Sequence, residues 1–465
     1  MNNHDPIDPE RRMMLELDDG HVHMHVTAAL LFDAEPLRTP GGGIDIDAIR
    51  RRIATRLYLV PHARQRIVET PIDGHAVWID DRTFNLEYHV RHTHLPHPGD
   101  DRQLKRLCGH IASQELDREK PLWEVWVVEG VDEDRFAVIA KAHQCMTGGV
   151  WSFDLVDRML STSPEEAPDT RPAWYPRPRP SDGELLGAAL RERIRAPFAA
   201  LGRLYERARS DDGPREGLGA ALRGILDPTP SSDTVLNEAV GPHRRIDWMT
   251  ADEAGIAAIA EQADTTVDAV LTSTIAGAVS DFLARRGTPL VQQQDLTIRV
   301  CEPTHAGGIF APHDRTSALA WTVAELPITD VDPVRRLADT AKALEEAEPV
   351  SYELFMDASE FLPGLSSFVA RRQLSAHASN LTLTRLTGPA EPLYLLGARL
   401  RAIYPVMPLV PRQALRVAIL SYAGRMYWGF NSDWDRMPDL HDLVEATAMS
   451  LEALAKAIEG KGTPL

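Results

Sequence analysis

The stretch Lys141-Ala142-His143-Gln144-Cys145-Met146-Thr147-Gly148-Gly149 gathers an ammonium, an imidazole, a carboxamide, a thiol, a hydroxyl and two glycines. Imidazole exchanges a proton near neutral pH, so His143 is the first candidate for moving one; a hydrogen-bonded wall residue is the plainer reading. Gln144 can donate and accept hydrogen bonds but takes no proton near pH 7. It suits holding a carbonyl or a developing oxyanion, with packing alone as the open alternative. Cys145 would accept an acyl group only if a base such as His143 activated its thiol. Neighbours on an extended segment face opposite ways, so beside a site-facing Gln144 the thiol is expected to face the core. Upstream, His21, His23 and His25 alternate and would share one face of a strand. Three such imidazoles could bind zinc, or His23 or His25 could supply a proton acceptor. Arg385 could bind a carboxylate or phosphate; a surface ion pair is the blander alternative.

These groups need a frame. His21 to Phe32 reads as a strand and Ile46 to Leu57 as a helix, with Ile46, Ile49, Ile53 and Leu57 at helical spacing. Trp123 to Glu129 and Arg135 to His143 read as paired strands around a turn at Gly130 to Asp134. The second is apolar on both faces, the mark of a central, doubly covered strand. Trp151 to Leu160 reads as a helix, so the candidate motif lies in a tight loop between strand and helix. Pro164 to Asp182 is proline-rich and reads as a linker. Glu184 to Ser210 reads as an Arg-studded amphipathic helix, docked on the protein body or, as the alternative, lying on a membrane surface. Further strands are expected near Leu296 to Glu302, Ala318 to Ala324, Gln413 to Leu420 and Arg425 to Asn431, and helices at Ala254 to Glu261 and Val267 to Arg286. A terminal helix carries a stripe of Leu440, Leu443, Val444, Ala448, Leu451, Leu454, Ala455 and Ile458. The organisation this predicts is a tail over 1–20, a lobe over 21–163, a linker and crossover helix over 164–236, and a second lobe over 237–465.

Composition narrows the classes. With 465 residues two domains are the prior, and 43% hydrophobic with 25% charged residues is globular. A net charge of −18 disfavours nucleic acid, whose binding rests on phosphate neutralisation. Three isolated cysteines without CxxC spacing point to a reducing compartment and away from a structural metal site. No secretory signal is expected at the N-terminus, and no run of the roughly 18–20 apolar residues that a membrane span needs is expected.

Leu116-Asp117, Pro121-Leu122-Trp123-Glu124 and Lys141-Ala142-His143 resemble the wax ester synthase/diacylglycerol acyltransferase family, which carries a Pro-Leu-Trp segment ahead of a Lys-x-His-His-x-x-x-Asp-Gly motif. The likeness continues at Met24-His25-Val26, Tyr88-His89-Val90-Arg91-His92, Gly241-Pro242-His243-Arg244-Arg245, Ile403-Tyr404-Pro405 and Ser421-Tyr422-Ala423-Gly424-Arg425. It implies a chloramphenicol-acetyltransferase-like, CoA-dependent acyltransferase α/β fold: two related lobes of mixed sheet and helices with a tunnel between them. It implies no bound cofactor, an acyl-CoA or acyl-carrier thioester as co-substrate, and a small-molecule or lipid acceptor. An acyl carrier protein and a peripheral membrane contact are the partners it brings into view, and a cytoplasmic or membrane-peripheral location follows. In that family the second histidine of the motif is the general base, the aspartate holds the loop, and the glycine lets the backbone approach substrate.

Carried over position by position, the base is Gln144, the aspartate is Gly148 and the glycine is Gly149. Trp151 brings bulk where the family has a small residue, and the family's Asn-Asp pair on the second lobe reads Val267-Asp268. The resemblance therefore implies His143, Gln144 and Gly149 as the catalytic positions, with Cys145, Thr147, Gly148, Trp151, His25, Asp268 and Arg385 lining the substrate. Loss of a general base typically costs ~10²–10⁴ in rate. The expected function is an acyltransferase that works without the usual histidine; the alternatives are a tailoring enzyme of the cyclase or condensation type and a non-catalytic binding protein.

Overall fold

The computed structural model describes residues 3–70, 76–132, 134–146, 154–165, 173–187, 190–191, 234–287, 297–304, 320–328, 332–347, 349–351, 368 and 379–461. Thr147, Gly148, Gly149 and Trp151 lie outside them, as does most of the expected helix from Glu184 to Ser210, of which 184–187 and 190–191 are described and helical. In chain order the first elements are β1 (Asp5–Pro6), α1 (Pro9–Leu17), β2 (His25–Asp33), α2 (Ile46–Arg56), β3 (Gln65–Glu69), β4 (Ala76–Asp80) and α3 (Leu86–His89). They continue with β5 (Val90–His94), α4 (Asp101–Ser113), β6 (Trp123–Val131), β7 (Arg135–His143), a 3-10 turn at Gln144–Met146, and α5 (Asp154–Met159). Then follow β8 (Arg244–Asp252), α6 (Glu253–Gln262), α7 (Val267–Arg285), β9 (Thr297–Thr304), β10 (Ala320–Pro327), α8 (Pro333–Glu346) and β11 (Pro349–Ser351). The last are β12 (Leu381–Thr387), β13 (Tyr394–Leu395), β14 (Ala398–Val406), β15 (Leu415–Tyr422), β16 (Arg425–Asp433) and α9 (Leu440–Lys461).

These strands form a six-stranded sheet in the order β13-β14-β2-β7-β6-β5, a seven-stranded sheet in the order β11-β10-β9-β12-β15-β16-β8, and a small sheet β1-β4-β3. As the apolar run on both its faces predicts, β7 is central, antiparallel to β2 on one side and β6 on the other. The seven-stranded sheet is apolar on both faces for the same reason. Val417, Ile419, Trp428 and Phe430 pack with α6, α7, α8 and α9, whereas Ala418, Leu420, Tyr422 and Tyr427 join the core built around the six-stranded sheet.

Three placements differ from the sequence reading. Residues 394–406 were expected in the second lobe, yet β14 pairs with β2 and completes the first lobe's sheet. There it knits the sheets together: Tyr404 stacks on Trp248 of β8 with ring centroids 4.7 Å apart, and Asn431 Nδ2 donates to the Met407 carbonyl at 2.7 Å. Gly429 makes the approach possible, because a Cβ there would lie 1.7 Å from the Pro405 carbonyl oxygen. The tail over 1–20 contains α1, started by the Asp8 side chain accepting the Arg11 amide and by Pro9 in the first turn. Its Met13, Met14 and Leu17 are buried in the first core. The strand expected from His21 begins only at His25.

Boundaries elsewhere shift by up to three residues, and on α9 Ala448 is exposed while Ala446 and Thr447 are buried. Contrary to the expectation of no segment of spanning length, α7 is long and apolar enough to cross a bilayer by length and composition. It is mostly buried as the core helix of the second sheet, which makes the same demand on composition.

Candidate functional site

The motif begins where β7 ends. His143 stands opposite His25 of β2 across the antiparallel pair, so the two rings share one face, with centroids 5.7 Å apart and nearly perpendicular planes. His23, although outside the strand, stacks on His25 at 5.3 Å. Backbone ties set the turn that follows: the His143 amide donates to the Leu122 carbonyl at 2.9 Å, and the Gln144 amide to the Met24 carbonyl at 2.8 Å. Gln144 and Cys145 are both buried.

Both nitrogens of His143 are engaged. Nε2 lies 3.1 Å from Asp18 Oδ2, and Nδ1 accepts the Cys145 amide N–H at 3.1 Å. Burial opposes a charge on this ring, while contact with Cys145 and the Asp18 carboxylate favour one and push its pKa up. A second proton would have to sit on Nδ1, which already accepts an N–H, so the geometry assigns the neutral ring with its proton on Nε2. With both nitrogens used, His143 is a positioning residue rather than a free base.

Asp18 escaped the sequence reading. Its Oδ1 accepts the Met24 amide at 2.7 Å and its Oδ2 accepts Arg118 Nη2 at 2.9 Å as well as the His143 ring. Burial would raise its pKa, but His143, the Met24 amide and Arg118 together hold it below the ordinary carboxylate value. Arg244 was likewise read only as part of a family segment. Its guanidinium donates to the His21 carbonyl and to the Gly241 carbonyl, and its amide to Ser113 Oγ, so the second lobe holds the chain that leads into His23 and His25.

Below the histidines, Lys141 is fully buried on the same face. Its Nζ donates at 2.9 Å to the carbonyls of Ile111 and Gln114 at the end of α4 and lies 2.7 Å from Glu124.

His25 has a different environment from His143. Its ring is almost wholly buried, it makes no side-chain hydrogen bond among the described residues, and Nδ1 in particular has no partner. Burial first, and then the neighbouring His143, Lys141, His23 and Arg244, put its pKa well below 6.5. The folded protein thus keeps it neutral where the unfolded chain begins to take up a proton. The stability linked to it is fully present above the unfolded value of about 6.5 and is lost as the pH falls towards the folded value, with a slope of about 1.4 kcal/mol per pH unit between them. Denaturant unfolding at several pH values should show wild type losing stability more steeply below this point than His25→Gln; parallel curves would refute the assignment.

The structure thus brings His25, His143, Gln144 and Cys145 together, and Cys145 faces the core as its position predicts. Asp268 and Arg385 are elsewhere. They pair with each other on the second lobe, Arg385 Nε 2.5 Å from Asp268 Oδ1, and their side chains are 37% and 43% exposed. An arginine satisfied by a neighbouring carboxylate in solvent is the plainer of the two expectations for Arg385. An open cleft of about 680 Å³ lined by Arg66, Tyr88, His89 and Lys120 is separate from the histidine cluster. His89 stacks there on Trp123, which pairs with Ala142 and so faces away from His143. Among the described residues no group of three or more His, Cys, Asp or Glu is arranged to hold a metal.

Residues 7–271 match the wax ester synthase/diacylglycerol acyltransferase catalytic domain, and residues 318–455 match the C-terminal domain of the same family. A Mycobacterium tuberculosis protein (strain CDC 1551 / Oshkosh) named for diacylglycerol O-acyltransferase activity is 26% identical over 450 residues, covering 90% of this chain and 84% of that one. Among solved structures, the wax ester synthase/diacylglycerol acyltransferase from Marinobacter aquaeolei VT8 superposes with a TM-score of 0.67 at 24% identity, covering 98% and 100% of the two chains. The first condensation domain of the CDA synthetase superposes with a TM-score of 0.56 at 12% identity, covering 98% and 97%. These likenesses show the CoA-dependent acyltransferase fold expected from the sequence.

Proposed function

The chain belongs to the wax ester synthase/diacylglycerol acyltransferase family, and from that premise we propose that it moves an acyl group from a thioester to a hydroxyl or amine of a small-molecule or lipid acceptor. The donor would be acyl-CoA or an acyl-carrier thioester, and an acyl carrier protein is the partner that the second of these brings.

The observation that supports this reading is the fixed architecture of the motif turn. A ring pinned at both nitrogens, His143, ends the central strand, and the buried Gln144 follows it with its amide tied to Met24. Such rigid placement serves a reaction that depends on orientation, which can supply ~10⁵–10⁸ M of effective concentration. Gln144 cannot take a proton, but its amide suits polarising a thioester carbonyl or holding the oxyanion that forms from it.

The test is release of free thiol from acyl-CoA and from an acyl-carrier thioester against a panel of alcohols and amines. Thiol release that depends on the acceptor, with an acylated acceptor identified by mass spectrometry, is the expected result. Transfer seen only after the double change Gln144→His and Gly148→Asp would overturn the reading in favour of a non-catalytic role.

A further inference from the structure

We propose that His25 is the proton acceptor that stands in for the base absent at Gln144; this rests on the acyl-transfer reading above and names the group that completes it. Three imidazoles cluster next to the motif turn. His143 is pinned at both nitrogens, His23 and His25 have no partner at Nδ1 among the described residues, and of these two His25 is the one that stands opposite His143 on the strand pair. His143 gives Nε2 to Asp18 and Nδ1 to the Cys145 amide. His25 has no side-chain hydrogen bond among the described residues, so none of these fixes which of its nitrogens carries the proton. It follows directly on Met24, whose carbonyl accepts the Gln144 amide, so the ring belongs to the residue adjoining the position the base would occupy.

The surroundings keep the His25 ring unprotonated at neutral pH. The groups facing it are His143 from β7, Lys141 from the same strand, His23 from its own chain and Arg244 from the second lobe. These are neutral or positive, and the Asp18 carboxylate beside His143 is taken up by His143, Met24 and Arg118. A ring so placed is unprotonated before reaction and gives its proton up readily afterwards.

The step balances without another reagent. As the acceptor oxygen forms its bond to the acyl carbon of the thioester, the hydroxyl proton passes to the His25 ring. Collapse of the tetrahedral intermediate breaks the carbon–sulfur bond, and the same proton moves from the imidazolium to the departing thiolate.

The experiment compares two acceptors on the full-length protein: a long-chain alcohol, whose hydroxyl must lose a proton as it attacks, and hydroxylamine, which is already an unprotonated nucleophile at neutral pH. For His25→Gln we expect kcat for alcohol acylation to fall ~10²–10⁴-fold while hydroxamate formation changes by no more than about tenfold. The KM for the thioester should stay close to the wild-type value. His25→Asn, which removes the base with a smaller side chain, is read in the same way if His25→Gln fails to fold. A parallel fall with both acceptors would mark His25 as merely structural and overturn the inference, as would unchanged alcohol acylation in either variant. If wild type transfers acyl groups to neither acceptor, the acyl-transfer reading itself fails and this inference with it.

Discussion

Replacing Glu124 by alanine is expected to destabilise the protein by about 3–5 kcal/mol, the usual consequence of removing one partner from a buried ion pair. Lys141 is wholly buried and Glu124 nearly so, with 2.7 Å between them. Burial already lowers the Lys141 pKa against the pull of Glu124, so without the carboxylate the ammonium must either stay charged in the core or lose its proton. The first leaves an uncompensated buried charge, and the second weakens its bonds to the Ile111 and Gln114 carbonyls, which close the C-terminal end of α4 where helix carbonyls lack intrahelical partners. Arg91 at 3.7 Å from Glu124 would lose its contact as well. Replacing both residues together, Glu124→Leu with Lys141→Met, should be much milder than the single change, because it leaves no uncompensated charge. Chemical denaturation of the three proteins gives the answer. A single-mutant loss below about 1 kcal/mol would put this pair among the weak, solvent-screened ones and refute its structural role.

The difference between what could and could not be read from the sequence has a physical basis. The β6–β7 hairpin was legible, because apolar runs on both faces and a short turn are local signals, and it places His143 at a strand end as expected. The position of β14 was not. Strand periodicity reports which face is buried but not which strand lies alongside, and the partner of Tyr404 is Ala29, in the other half of the chain. α1 had a readable start in Asp8-Pro9 and was overlooked inside a segment taken for a tail. Asp268 and Arg385 were given to the site because the family pattern changes there, yet opposite charges that meet at the surface satisfy each other. Of the cluster, the histidines could be found by spacing, whereas which ring is pinned and which is available depends on Asp18, a contact spanning 125 residues.

That dependence makes Asp18→Asn the sharper test of the site. The substitution keeps the size of the side chain but replaces one carboxylate oxygen with an NH₂ group. Asp18 Oδ1 accepts the Met24 amide and Oδ2 accepts both the His143 ring and Arg118. Whichever way the new amide turns, its NH₂ must face one of these donors. If it faces His143, the Nε2 proton loses its acceptor, and moving that proton to Nδ1 would set it against the Cys145 amide N–H. The ring then has no orientation that satisfies both ends, and His25, in edge contact with it at 5.7 Å, loses the wall that holds it. If it faces Met24 instead, the chain entering β2 shifts and carries His25 with it. We expect kcat for acyl transfer to fall ~10²-fold, the effect of a displacement of about 1 Å in a positioned group, with KM little changed. Acid sensitivity gives an independent readout. The Asp18 pKa is lowered by folding, so the stability it provides is complete above the unfolded value of about 3.9 and disappears as the pH falls through the folded one. A carboxamide at this position does not titrate, so that part of the acid limb should flatten in the variant. A variant that turns over within about threefold of wild type, far short of the ~10² that misplacement costs, would mean that the His143 ring is held by something other than Asp18.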